Sequence, residues 1–330
     1  MNSRRLIASL VLSVALTAVP GCTSKSPSLV PVSVAWSPFE SLGLYYVALD
    51  QGFFKANGLS ITERKYDSGS GALSGMLAGE ADIVVGTTEF PLVNQALRQA
   101  SLKSIAVIAK SDFIYVVARK DRGIQNTADL KGKRVGTTFG TIAEFYLGRL
   151  LELNGLSTKD ITEVDLKTPD EWVNAVSTGV VDAVCTAQPS ADSAAKLLGS
   201  NAVMWSAQSS QSLFAQAIAS TSWLAANQDL AEKFLRALDQ AATYIVSHPS
   251  EAKSSVQSRL NVEATYVEAA WPRNHYALSL DQSLITAMED ESRWLIQNNL
   301  TTATSTPTFV NYIDETALKK VKPGAVRIIR

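Results

Sequence analysis

Five short loops hold the residues best able to do chemistry in this 330-residue chain: Trp36 to Ser41, Ser68 to Gly71, Gly86 to Glu89, Phe139 to Ile142 and Thr186 to Pro189. Each adjoins a short apolar run that reads as a strand or a helix start. Ligands of open α/β sheets gather beyond the carboxyl ends of strands. The loops contain hydroxyls, glycines, aromatics and two carboxylates, Glu40 and Glu89, with no Lys, Arg or His. Such a set holds and orients a small solute. Gly140-Thr141-Ile142 opens a helix, whose free N–H groups and positive dipole end suit an anion. The alternative is a capping box in which Thr141 and Glu144 satisfy those donors internally. Glu40 and Glu89 could pair with an ammonium or accept from an amino or hydroxyl group. Otherwise Glu89 merely favours its own helix dipole and Glu40 is solvated. Trp36, Phe139 and Trp205 are candidates for an aromatic wall, although aromatic residues more often fill cores. Ser70, Gly71, Thr87, Thr88 and Gln188 complete the candidate ligand-binding set. Cys185 reads as a small buried apolar residue.

Enzymatic readings find little support. Gly69-Ser70-Gly71 with Gly75 is not a dinucleotide-binding GxGxxG, no GK[ST] follows it, and there is no GxSxG elbow. The chain has two His, His248 and His275, both in its C-terminal third, which argues against a Ser-His-Asp triad. The two Cys, Cys22 and Cys185, show no metal-ligand spacing with them. No metal and no cofactor are expected. Lys+Arg of 30 against Asp+Glu of 31 gives no basic footprint for nucleic acid. With 46% hydrophobic and 18% charged residues the chain is not disordered. A chain of this length tends to split into lobes.

Elements that would position the loops are legible. Ser33 to Ala35, Leu59 to Arg64, Asp82 to Val85, Ile105 to Ala109, Lys133 to Gly136 and Asp182 to Cys185 read as strands. Helices read at Leu44 to Asp50, Gly71 to Leu77, Glu89 to Gln99 and Ile142 to Leu153. Thr168-Pro169-Asp170-Glu171 combines an N-cap, an N1 proline and a capping-box Glu before a further helix. Short apolar strands between helices argue for a parallel sheet covered on both faces. The final third reads as mostly helical: Asp229 to Ser247, Leu284 to Gln297 behind a capping box at Ser279 to Gln282, and a last helix near Glu315 to Val321. Gly79-Glu80-Ala81-Asp82-Ile83-Val84-Val85 is echoed by Gly179-Val180-Val181-Asp182-Ala183-Val184-Cys185, as two equivalent lobes would produce.

The N-terminus reads as an export signal. Arg4 and Arg5 precede an uncharged apolar run from Leu6 to Val19, too short for a membrane span. Val19-Pro20-Gly21-Cys22 resembles a bacterial lipoprotein box, with cleavage before Cys22 and acylation of that Cys. Pro20 departs from the usual residue there, and the alternative is an ordinary secreted protein. Acyl chains anchor firmly, at about 0.8 kcal/mol per buried CH₂. Removing residues 1–21 takes away two arginines and no acid, moving the net charge from −1 to −3. Residues 22–31 then read as the acylated Cys and a Ser/Pro-rich tether.

The run from Tyr45-Tyr46-Val47-Ala48-Leu49-Asp50-Gln51-Gly52-Phe53-Phe54 to Gly58-Leu59 resembles the opening signature of nitrate/sulfonate/taurine-type solute-binding proteins of ABC importers. That superfamily includes binders of thiamine-pyrimidine precursors. Gly79-Glu80-Ala81-Asp82, Asp129-Leu130-Lys131-Gly132-Lys133-Arg134-Val135-Gly136, Gly179 to Ala183 and the tail from Tyr312 to Pro323 fit the same pattern. The resemblance implies an α/β fold of the two-lobed periplasmic-binding-protein type (type II), with a hinge and an interlobe ligand cleft. It places lobe 1 at 32–113 and 215–330 and lobe 2 at 114–214, with crossings near Phe113–Val117 and Ser212–Ala217. It further implies that the Gly-Ser/Thr step at Gly140-Thr141 meets sulfonate or nitrate oxygens. Capture of a small anion or a taurine-like zwitterion is expected, by a monomer anchored in the membrane through lipid and exposed on its extracytoplasmic side. The solute then passes to a permease driven by a separate ATPase. An aminopyrimidine solute in the same role, a ligand-sensing subunit of a membrane receptor and a pyrimidine-synthesis enzyme are the alternatives. The last depends on a Cys-rich motif that this chain lacks.

Overall fold

The computed structural model describes residues 28–329, so the export signal and Cys22 lie outside the described residues. Twelve strands occur among them. They are β1 (Val30–Trp36), β2 (Leu59–Lys65), β3 (Ile83–Thr87), β4 (Leu102–Ser111), β5 (Ile114–Arg119) and β6 (Arg134–Thr137), then β7 (Thr162–Asp165), β8 (Ala183–Ala187), β9 (Ala202–Ser206), β10 (Leu213–Ser220), β11 (Asn274–Asp281) and β12 (Val326–Arg327). β1 thus begins at Val30, inside the segment read as tether. One sheet has the order β12-β11-β4-β10-β3-β1-β2 and the other β7-β6-β8-β5-β9. The chain passes between them at Asp112–Phe113 and again across residues 207–212.

The sheets are mixed, which corrects the expectation of a parallel one. β2, β1 and β3 run parallel, but β10 is antiparallel to both β3 and β4. In the second sheet β7, β6 and β8 are parallel, and β5 is antiparallel to β8 and β9. The antiparallel members β5 and β10 are the strands that follow each passage between sheets. A chain that leaves one sheet and re-enters the other through a short link cannot keep the strand direction of a βαβ crossover.

The repeated Gly-x-x-Asp segment has a physical role in both halves. Asp82, just before β3, accepts from Ser33 N at 2.7 Å and returns its own N–H to Ser33 O at 2.9 Å. Asp182, just before β8, accepts from Arg134 N at 2.9 Å and donates N–H to Arg134 O at 2.8 Å. Each carboxylate therefore fixes the register of the strand beside it, β1 in one sheet and β6 in the other.

The C-terminal third also holds β11, which the helical reading missed. Ser279 and Leu280 lie in that strand, so no capping box forms there. Asp281 is the N-cap of the helix Gln282–Gln297 and accepts from Ser283 N at 3.0 Å. This helix packs Trp294 against Phe145 with ring centroids 5.5 Å apart, while Phe145 also meets Phe90 at 5.7 Å. The helix Ile142–Leu153, tied to the second sheet, is thereby packed on two helices of the first. Gly148 permits that approach, since a Cβ there would lie 2.2 Å from the Trp294 ring.

Gly86, in β3, has φ +76°, and a Cβ built on it would sit 2.1 Å from Leu42 Cδ1. Gly86→Ala should therefore lose about 2–4 kcal/mol, combining left-handed strain with overpacking. Denaturant unfolding checks this; a loss below about 0.5 kcal/mol, the size of an ordinary surface change, would show that β3 relaxes freely.

Candidate functional site

A small cavity of about 60 Å³ lies where the two sheets face each other, at the carboxyl ends of β1, β3, β6 and β8. Three helices begin at its wall. The helix Gly69–Leu77 brings Gly69 and Ser70 behind its cap Ser68; the helix Glu89–Leu97 brings Pro91 behind Thr88; the helix Ile142–Leu153 brings Ile142 and Ala143 behind Thr141. The aromatic surface comes from Phe39, Phe113 and Trp172. Phe39 and Phe113 stack with centroids 5.8 Å apart. Trp172 is held by donating Nε1–H to Thr138 Oγ1 and to Leu166 O, both at 2.9 Å. Gly86, Ile114, Thr138, Thr186 and Ala187 complete the lining, which contains no charged side chain.

Donors are left over at the helix starts. Ser68 Oγ accepts from Gly71 N at 3.1 Å. The alternative capping box does not form: Glu144 Oε2 accepts from Gly140 N at 2.7 Å rather than from Thr141 N, and Thr141 accepts no capping bond and instead donates its hydroxyl to Thr138 O at 2.7 Å. The N–H groups of Thr141, Ile142 and Ala143 keep no protein acceptor among the described residues. The Ser70 and Thr88 hydroxyls are likewise uncommitted there. An uncharged, largely apolar box with several convergent donors can hold an anionic head group on N–H and O–H groups and an apolar body on rings.

Three carboxyl groups close to the box are buried away from water. Glu40 is 2% exposed and accepts from Tyr266 Oη at 3.1 Å; burial pushes it up to about 7, against its own backbone N–H and the Tyr266 bond. Glu144 rises to about 7 through burial, against the Gly140 N–H. Glu89 is fully buried, raised by burial to about 7, and accepts from Phe214 N at 2.8 Å. Its carboxyl also meets that of Glu291, likewise fully buried and held well above the usual carboxylate range by burial and by the Glu89 charge.

Of the residues picked from sequence, Ser70, Thr88 and Thr141 line the cavity. Gly71 and Phe139 line an open vestibule outside it, and Phe139 is 40% exposed. Gly140 lies beside the wall with its N–H taken by Glu144. Glu40 and Glu89 stand behind the wall rather than in it. Thr87 is fully buried at the end of β3. Trp36 packs edge-on against Tyr46, centroids 5.9 Å apart, and Trp205 lies in β9, so neither forms the wall. Gln188 is buried, donating Nε2–H to Asp192 and accepting from Arg273 Nη1 at 2.7 Å. Cys185 is a buried free thiol in β8, its pKa pushed up by burial.

Sequence reasoning missed Phe39, Phe113, Thr138 and Trp172. Phe39 lies inside one of the five loops and Thr138 directly before another. It also missed Gln208, whose side chain joins the two passages between the sheets. Among the described residues no group of three or more His, Cys, Asp or Glu is placed to hold a metal, and no helix is long and apolar enough to cross a membrane.

The family model described as NMT1/THI5 like matches residues 40–252. The chain is 28% identical over 218 residues to a "Putative thiamine biosynthesis protein" of Haemophilus influenzae, covering 62% of this chain and 65% of that protein. It is 25% identical over 224 residues to the 4-amino-5-hydroxymethyl-2-methylpyrimidine phosphate synthase of Aspergillus parasiticus, covering 63% and 64%. The matched stretch thus spans less than two thirds of either relative's length. Among solved structures, the alkanesulfonate-binding protein SsuA of Xanthomonas axonopodis pv. citri, bound to MOPS, superposes with a TM-score of 0.74 at 18% identity, over 85% of this chain and 97% of that one. At that identity the likeness is one of fold, the two-lobed fold of periplasmic binding proteins.

Proposed function

Because the chain belongs to the NMT1/THI5-like family, we propose that it is the solute-binding component of an ABC importer, capturing a small organic anion of the sulfonate class between its two lobes. The observation that carries this reading is the convergence of three helix starts, with uncommitted N–H and O–H donors, on one cavity that has no charged lining. Helix starts stabilise an anion without a buried counter-cation. Phe39, Phe113 and Trp172 take the carbon body of the solute. Lobe 1 comprises 32–113 and 215–330 and lobe 2 comprises 114–214. They swing about the two passages, and the anion adds contacts only when both lobes reach it, which shifts the open–closed population. Hinge closure of periplasmic binding proteins is a general precedent. Cys22, acylated after export, tethers the domain outside the cytoplasmic membrane, and a permease with its ATPase receives the solute.

A taurine-like zwitterion fits less well than a simple anion, because Glu40 and Glu89 are committed to Tyr266, Phe214 and Glu291. An aminopyrimidine remains the second reading. The stacked Phe39–Phe113 pair and the names of the thiamine-related relatives favour it.

The test is Ile142→Pro against Ile142→Val. Proline is tolerated at the first helical position, and Thr141 has ψ 166°, the extended backbone that a following proline requires. The proline removes one donor aimed at the anion. Affinity for ethanesulfonate should fall about ten- to a hundredfold, the worth of a hydrogen bond to a charged group, while valine changes it little. Equal affinity in both variants would remove this helix start from the site.

A further inference from the structure

Ser68, Ser70 and Thr138 line both the cavity and an open vestibule beside it, so the two adjoin across these three side chains. The chemistry changes from one to the other. The inner walls carry no charge. The vestibule adds the rings of Tyr66 and Phe139, the Asp67 carboxylate and the Lys167 ammonium, with Tyr66 and Asp67 on the first-sheet side and Phe139 and Lys167 on the second. The rim is built rather than loose. Asp165 accepts from Phe139 N at 3.1 Å and also binds the Lys167 ammonium. Lys167 N donates to Glu171 at 2.6 Å, and the Tyr66 hydroxyl is bonded to Glu80. A large ring left 40% exposed beside an apolar cavity is surface that a bound chain would cover.

From this adjacency and the exposed Phe139 ring we propose that the vestibule is a second subsite, and that the solute is an elongated organic anion. Its head group occupies the inner cavity, and an unbranched tail runs out over Phe139 and Tyr66. The tail end is uncharged or cationic: Asp165 already offsets Lys167, and Asp67 makes no ion pair among the described residues. The proposal rests on the anion-binding reading above and extends it to solute length. Phe139 acts as a specificity-determining residue, selecting long solutes over short ones.

The experiment compares calorimetric affinities of the purified protein for ethanesulfonate and 1-hexanesulfonate, in the natural sequence and in Phe139→Ala. The readout is the ratio of the two affinities. Hexanesulfonate should bind at least tenfold tighter in the natural protein, and Phe139→Ala should bring the ratio to within about threefold of one, because each buried methylene adds to affinity. Phe139 is exposed, so the variant should fold, and an unchanged melting temperature checks that it does. If both sulfonates bind but equally, the vestibule subsite is overturned and the anion reading stands. The same holds if Phe139→Ala weakens both in proportion. If neither sulfonate binds, the anion reading fails and the vestibule proposal with it.

Discussion

Gln208→Leu is expected to destabilise the folded chain by about 4 kcal/mol, since each buried donor or acceptor left unpaired costs roughly 1–3 kcal/mol. Gln208 is 1% exposed and sits in the second passage between the sheets. Its Oε1 accepts from Phe113 N at 2.7 Å and Ile114 N at 2.8 Å. Its Nε2 donates to Ser111 O at 3.1 Å and Gln211 O at 2.8 Å. One side-chain amide therefore bonds four backbone groups and ties the first passage to the second. Of the four, only Gln211 O has a second side-chain donor among the described residues, Tyr146 Oη at 3.1 Å. Leucine has similar volume and none of these bonds. Against a total stability of about 5–15 kcal/mol the loss is large. Gln208→Glu keeps the acceptor and should lose less when its carboxyl is protonated. Urea unfolding measures both variants; a leucine variant within about 1 kcal/mol of the natural protein, the worth of a single hydrogen bond, would show that water replaces the amide and that the passages are not coupled through it.

The second large effect is on pH. Burial raises Glu40, Glu89 and Glu144 from 4.5 to about 7. Between those values the folded chain binds more protons than the unfolded one, so stability falls as pH rises through the window, and Glu291, also held well above the usual carboxylate range, adds to the fall. A tenfold change in the proton affinity of one group corresponds to about 1.4 kcal/mol. Together the three should remove on the order of 8 kcal/mol between pH 4.5 and pH 7. Below this window the trend reverses, because Asp182 and Asp281 are held below their usual range by Arg134 and by Ser283 and Lys110, against the opposing effect of burial. Their contribution is lost as acid protonates them. The melting temperature should therefore be clearly higher at pH 5 than at pH 8. A melting temperature that is flat or rising over that interval would mean that these carboxyls are solvated in the native state. Glu144→Gln should flatten part of the slope, being neutral at every pH.

The elements with a clear period were legible in the sequence, and so were the polar loops. β3, β8 and the helix Pro169–Thr178 carry their own punctuation in Gly79, Gly179 and Thr168-Pro169. β5 and β10 do not. Ile114 to Ala118 and Leu213 to Ala219 are buried almost throughout, so they show neither alternation nor helical spacing, and their antiparallel direction follows only from the passages between sheets. The echo around Asp82 and Asp182 was visible as a pattern, but its cause, a carboxylate clamping the backbone of the neighbouring strand, lies in contacts 48 and 49 residues distant.

The site divides in the same way. The hydroxyl positions Ser70, Thr88 and Thr141, picked from sequence as ligand contacts, lie in the cavity wall, because a loop at a strand end exposes its caps. The aromatic positions are not. Trp36 and Phe39 are three residues apart, and it is Phe39, capping the short turn Glu40–Leu42, that lies in the cavity wall. Glu40 and Glu89 look like ligand contacts locally. Their partners Tyr266, Phe214 and Glu291 come from distant parts of the chain, and only the assembled fold reveals them. Gln208 carries no local signal, since an isolated Gln in a Ser/Gln-rich stretch reads as loop.

The central claim is that the cavity between the sheets captures an organic anion on helix starts and releases it unchanged. Calorimetric titration of the purified protein, unfolded and refolded to strip any carried solute, tests it most directly. Sulfonates of increasing length, nitrate and an aminopyrimidine form the series, with each mixture assayed afterwards for product. The account predicts saturable one-to-one binding of a sulfonate, weakened at least tenfold by Ile142→Pro, with the solute recovered intact. Binding of the aminopyrimidine alone, or any turnover of the bound solute, would contradict it.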